Sequence, residues 1–105
     1  MTFKESCKRA WTPEGDSKSR LSLCGLGLAG EAGEVVDVIK KVVAHGHVLD
    51  KEKLRNEIGD VLYYIEMLCI ETGITPEECK IANIEKLKLR YPNGFSTEAS
   101  INRTK

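Results

Sequence analysis

Gly30-Glu31-Ala32-Gly33-Glu34-Val35-Val36-Asp37-Val38-Ile39, answered further along by Glu57-Ile58-Gly59-Asp60-Val61-Leu62, carries the pattern from which the architecture follows. Each part sets two carboxylates three residues apart within apolar residues that recur at intervals of three and four. On a helix, that spacing puts both acids on one side, one turn above the other. Leu28, Ala32, Val35, Ile39 and Val42 draw an apolar stripe around the first pair. Leu54, Ile58, Val61, Leu62, Ile65, Leu68 and Cys69 do so around the second. At 100° per residue, Glu31 lies about 60° from Leu28 and Glu57 about 60° from Leu54, so the acids border the seam instead of opposing it. Charges placed there require a partner. Two such helices face to face would gather four carboxylates, which repel one another until a divalent cation stands between them.

Working outward, Thr2 with Glu5 forms a capping box for a short helix ending near Trp11, and Thr12 to Asp16 reads as a loop. A long helix is expected from about Ser19 to Ala44, ended by His45-Gly46-His47. Asp50 is a suitable N-cap for a third helix that reaches Thr72 and stops at Gly73. Thr75-Pro76-Glu77-Glu78 combines an N-cap, a proline at the first helical position and a capping glutamate, opening a fourth helix to about Arg90. Pro92-Asn93-Gly94 ends that helix, and the polar residues 96–105 read as a loose tail after a helical domain at 1–95. No alternating segment suggests a strand. The expected class is all-α, a bundle of about four helices whose thin core is completed in a homodimer or homotetramer.

The 105 residues carry 16 basic and 16 acidic side chains, so no global field recruits nucleic acid or an anionic membrane. The N-terminus lacks the apolar core of a signal peptide, and no run reaches the roughly 18 apolar residues of a membrane helix. A soluble, cytoplasmic protein is expected. Cys7, Cys24, Cys69 and Cys79 form no Cys-x-x-Cys pair and fall in expected helices, where thiols pack as small hydrophobes.

Gly25-Leu26-Gly27-Leu28-Ala29-Gly30 matches a dinucleotide-binding pattern, but that motif works between a strand and a helix, and no such unit surrounds it. Gly25, Gly27, Gly30 and Gly33 within a helix together cost about 3–4 kcal/mol relative to alanine. Their use is to let another helix or a ligand approach the backbone beside the acids. A di-iron bundle site would need Glu-x-x-His, which neither acidic pair supplies. Zinc would need Cys or His at suitable spacing, and His45 and His47 fall in a turn. Ligation by Glu31, Glu34, Glu57 and Asp60, all carboxylates, suits Mg2+ or Mn2+.

The run Leu26 to Lys41, followed by Glu57-Ile-Gly-Asp-Val-Leu-Tyr-Tyr64, resembles the MazG-like all-α nucleoside triphosphate pyrophosphohydrolases, a family marked by Glu-x-x-Glu, a helical hairpin and Glu-x-x-Asp. Asn83-Ile-Glu-Lys86-Leu-Lys-Leu-Arg90-Tyr91-Pro92 is similar to the family's closing segment. One departure is Gly30 before Glu31, where many members carry a second glutamate. The resemblance implies hydrolysis between the α and β phosphates of a nucleotide, giving a monophosphate and pyrophosphate. It assigns magnesium to Glu31, Glu34, Glu57 and Asp60. Independently of it, a carboxylate not fully engaged with metal can take a proton from water, and a first-helix glutamate, Glu31 or Glu34, is the expected base.

Phosphate charge beyond the metal calls for cations. Lys41 lies about 20° from the direction of Glu34, two turns on, and Asn83, Lys86 and Arg90 form a polar stripe with Tyr91 beside it. These are the expected substrate-binding residues. Trp11, Tyr63 and Tyr64 read as core packing ahead of base stacking. The competing reading is a non-catalytic helical interaction module whose acids hold a structural cation.

Overall fold

The computed structural model describes residues 1–11 and 14–103; Thr12 and Pro13 of the expected loop and the last two residues of the expected tail lie outside the described residues. The described residues form helices α1 (Phe3–Ala10), α2 (Ser17–His45), α3 (Lys51–Thr72), α4 (Pro76–Arg90) and α5 (Thr97–Ile101). Among them the only bridge is an isolated one between Pro92 and Gly94, so the all-α reading holds. Among the described residues no helix is long and apolar enough to cross a membrane.

Local chemistry sets most of the ends. The Thr2 hydroxyl accepts from the Glu5 N–H while the Glu5 carboxylate accepts from the Thr2 N–H, and Thr75 and Glu78 repeat the arrangement at α4. Asp50 caps α3 by accepting from the Lys53 N–H at 3.1 Å. Asp16 caps α2 at 2.9 Å through the Ser19 N–H, so α2 begins at Ser17, earlier than the apolar pattern implies. Gly46 and Gly73 close α2 and α3 at φ 72° and 74°, a left-handed conformation that glycine adopts without a Cβ penalty.

Two compact units make up the chain, Met1–Gly73 and Ile74–Lys105. In the first, α2 and α3 pack along their lengths as an antiparallel hairpin, and α1 lies against α3. The core consists of Cys7, Cys24 and Met67, covered by Trp11, Tyr63, Leu68 and Ile70. None of the four cysteines forms a disulfide; Cys7, Cys24 and Cys69 are buried and Cys79 is exposed. Burial pushes the Cys7 and Cys24 thiols up, with Glu66 and Glu71 respectively adding to the shift. Protonated thiols of this kind pack and do not react.

The apolar stripes face differently from the sequence expectation. On α2 the half-buried and buried positions include Cys24, Leu28, Glu31, Val35, Val38 and Val42, whereas Ala32 and Ile39 are exposed. On α3 Met67 and Cys69 are buried, and Leu54, Glu57, Val61, Tyr64, Leu68 and Glu71 are among the half-buried positions, whereas Ile58, Leu62 and Ile65 are exposed. Helix α2 is apolar on most sides, so hydrophobicity alone does not select the face that meets α3. Counting only apolar residues also overlooks a seam that admits acids.

In the second unit, α4 has no buried residue, and Tyr91 caps its C-terminus with its ring 5.3 Å from that of Phe95. The expected loose tail instead contains α5, a single turn whose cap Ser96 accepts from the Ala99 N–H at 3.0 Å.

Candidate metal centre

Antiparallel packing brings the two acidic motifs to one level. Along the seam Arg20, Gly27 and Glu31 of α2 meet Glu71, Tyr64 and Asp60 of α3 in turn. Glu31, Glu57 and Asp60 each offer a carboxylate oxygen, and these oxygens lie within 4.8 Å of one another. Glu31 and Glu57 are half-buried and Asp60 is exposed. Among the described residues of the first unit, no lysine, arginine or histidine forms a salt bridge with any of the three. Partial burial, followed by the charges of Asp60, Glu57 and Glu34, raises the Glu31 carboxyl above its ordinary value. Three converging oxygen donors with excess negative charge fit a hard divalent cation such as Mg2+ or Mn2+.

Glu34, the fourth expected ligand, is exposed and stands outside that trio, although its charge is felt at Glu31. Lys41 lies ten residues beyond Glu31, about 15 Å along α2. There it pairs with Asp37 at 3.1 Å and lines a cleft with Val38, Val42, His47, Val48 and Lys53. Asn83, Lys86, Arg90 and Tyr91 belong to the second unit, on α4 and at its C-cap; Asn83 and Lys86 are exposed, and Arg90 and Tyr91 are half-buried. His45 is the last residue of α2 and His47 follows its glycine cap, where the backbone N–H donates to Lys41 O at 3.0 Å. Both serve the turn, as the sequence suggests.

A second polar cluster beside the core has no counterpart in the sequence reading. Arg20 Nε donates to Glu71 at 2.9 and 3.1 Å, Trp11 Nε1 donates to the same carboxylate at 3.3 Å, and Arg20 also donates to Gly15 O at 2.8 Å. The hydrogen bond from Arg20 is the main reason that the Glu71 carboxyl lies below its ordinary value. Trp11 in turn meets Tyr63 and Tyr64 edge-on, at ring distances of 6.2 and 6.4 Å. A signal was available: Glu71 is two heptads after Glu57, on the same helical face. The small-residue expectation holds at Gly27, whose α-carbon the Tyr64 ring approaches, but Gly25, Gly30 and Gly33 face open space.

A helical hairpin presenting Glu-x-x-Glu to Glu-x-x-Asp defines a class of all-α phosphohydrolases, and the comparisons agree. The family model for the MazG nucleotide pyrophosphohydrolase domain matches residues 20–95, and the chain belongs to that family. It is 29% identical over 92 residues to the Gene 37 protein of Mycobacterium phage L5, covering 84% of this chain and 81% of the relative. It is 32% identical over 76 residues to a phosphoribosyl-ATP pyrophosphatase of Streptococcus thermophilus, covering 72% of each. No solved structure matches the chain significantly.

Proposed function

We propose that this protein is a divalent-metal-dependent hydrolase that cleaves the α–β phosphoanhydride of a nucleoside triphosphate, giving the monophosphate and pyrophosphate. The observation that carries this reading is the convergence of carboxylate oxygens of Glu31, Glu57 and Asp60 within 4.8 Å, with no salt bridge to any of them from the described residues of the first unit. Those three residues would hold Mg2+ or Mn2+, with Glu34 as a further ligand or as the base. A bound divalent ion would neutralise phosphate oxygens and acidify water. Glu34, exposed and outside the trio, is the better placed of the two first-helix glutamates to accept the proton of the attacking water, because its oxygens are not committed to the cluster. Lys41, Asn83, Lys86 and Arg90 would bind phosphate, and Tyr91 would flank the base, roles that rest on the resemblance of the segments carrying them.

A homo-oligomer working in the cytoplasm, with no nucleic acid or membrane as partner, completes the reading. It is supported by the apolar side chains left uncovered on the hairpin, among them Leu26 at 73%, Val36 at 61% and Val43 at 79% exposure. Light scattering at micromolar concentration should give a dimer or tetramer.

The test is a panel of nucleoside triphosphates, together with phosphoribosyl-ATP, incubated with the protein and Mg2+ and analysed by chromatography. Monophosphate and pyrophosphate should appear together. Diphosphate with orthophosphate would reject the cleavage position, and no turnover with any nucleotide or metal would favour the non-catalytic module.

A further inference from the structure

The seating of Tyr64 on Gly27 has a consequence for the acids one turn away. A Cβ built on Gly27 would meet Tyr64 Cε1, Cζ and Cδ1, all closer than 3.0 Å, whereas one built on Gly25, Gly30 or Gly33 meets nothing within 4 Å. Of the four glycines in this part of α2, Gly27 is therefore the one that the packing of the hairpin requires. Two aromatic rings flank the Tyr64 ring. Tyr63 meets it edge-on at 5.0 Å and Trp11 at 6.4 Å, and Trp11 is itself tied to the Glu71–Arg20 pair. Glu31 follows Gly27 by one helical turn and Asp60 precedes Tyr64 by one turn, so this contact is the packing layer next to the carboxylates.

We propose that Gly27 and Tyr64, backed by Trp11, are positioning residues that set the separation of α2 and α3 at the Glu31–Glu57–Asp60 cluster. The inference rests on the metal-binding reading of that cluster. Trp11 stands outside the family-matched residues 20–95, so this backing is contributed by a part of the chain that the family model does not cover. The physical reason is tolerance. Mg2+ accepts oxygen ligands only near about 2.0–2.1 Å, and a hairpin pried open on the order of an ångström at the next layer pulls one ligand set from the other.

The experiment titrates the metal-free full-length protein with Mn2+ and follows the free ion by electron paramagnetic resonance, alongside circular dichroism and thermal melts. Gly27→Ala should keep its helix content and weaken Mn2+ binding by about tenfold or more, the usual reach of residues that support ligands. Gly30→Ala, facing open space, should bind as the wild type does. The double variant Gly27→Ala/Tyr64→Leu should recover most of the affinity, because the shortened side chain makes room for the methyl group. A folded Gly27→Ala protein with wild-type affinity would overturn the proposal, as would failure of the double variant to recover; a lower melting temperature at unchanged affinity would mean that the contact only stabilises the fold. Should Gly27→Ala not fold, Tyr64→Leu alone decides, with weaker binding expected and unchanged binding overturning the idea. Glu31→Gln separates the two levels: if it leaves Mn2+ binding intact, the metal-centre reading itself fails, independently of Gly27.

Discussion

Glu31 and Glu71 are the same residue type in the same α2–α3 seam, yet their surroundings are opposite. Glu71 receives the Arg20 guanidinium and the Trp11 indole N–H, and its carboxyl is held below the ordinary range. Glu31 faces Asp60, Glu57 and Glu34, and its carboxyl is pushed up. An acid admitted to a seam with its counter-charge ties the helices together. Three acids admitted without one oppose the packing of the same helices, and the arrangement makes physical sense when an ion joins them. The difference separates an architectural end of the hairpin from the proposed metal-binding end.

The largest expected effect breaks the proposed metal-binding end. Glu57→Gln or Asp60→Asn keeps the shape of the side chain but removes a ligand charge, and pyrophosphate release should fall on the order of a hundredfold or more. Helix content by circular dichroism should not change; near-normal turnover in both variants would remove this pair from the site.

Next is the response of stability to metal. In excess chelator, Glu31→Gln should melt above the wild type, because a repelling charge is gone. In excess Mg2+ it should gain much less, because the stabilisation by a bound ligand grows as RT ln(1 + [L]/Kd) and a ligand has been lost. Equal small shifts under both conditions would mean that the carboxylates are screened individually and bind no ion together.

The architectural end should behave in the contrary way. Glu71→Gln should lower the melting temperature by a few degrees, equally with chelator and with Mg2+. Since the Glu71 carboxyl is depressed below its ordinary 4.5, its contribution is present above that pH and disappears as pH falls through the depressed value. The gap between wild type and variant should therefore be widest near neutrality and close on acidification below 4.5. A gap independent of pH would show that the carboxylate's charge plays no part.

The smallest effect sharpens the comparison at the glycines. Gly30→Ala, in the helix and facing open space, should stabilise the protein by about 0.5–1 kcal/mol, seen in thermal melts with no change in metal response. A destabilised variant would mean that another surface closes on that position.

Much of this is legible in the chain. The spacing marks Glu31, Glu34, Glu57 and Asp60, of which Glu31, Glu57 and Asp60 converge while Glu34 does not, and the capping boxes at Thr2 and Thr75 and the stops at Gly46 and Gly73 stand where the sequence puts them. The rotation of the helices was not legible: Ala32, Ile39, Ile58 and Leu62 lie outside the seam expected to contain them. Nor was the Trp11–Glu71–Arg20 cluster, whose members are 51 and 60 residues apart in the chain, or the choice of Gly27 among several similar glycines.

The limits of the helices, and the presence of an acidic pair on each of two neighbouring ones, follow from local sequence, because caps, left-handed glycines and a spacing of three act within a single turn. The tertiary structure decided which faces meet, and so which acid receives a guanidinium and which are left with only one another. A helix as apolar all round as α2 has several faces that would pack, and only the fit against a particular partner, here a tyrosine ring over a glycine, chooses among them.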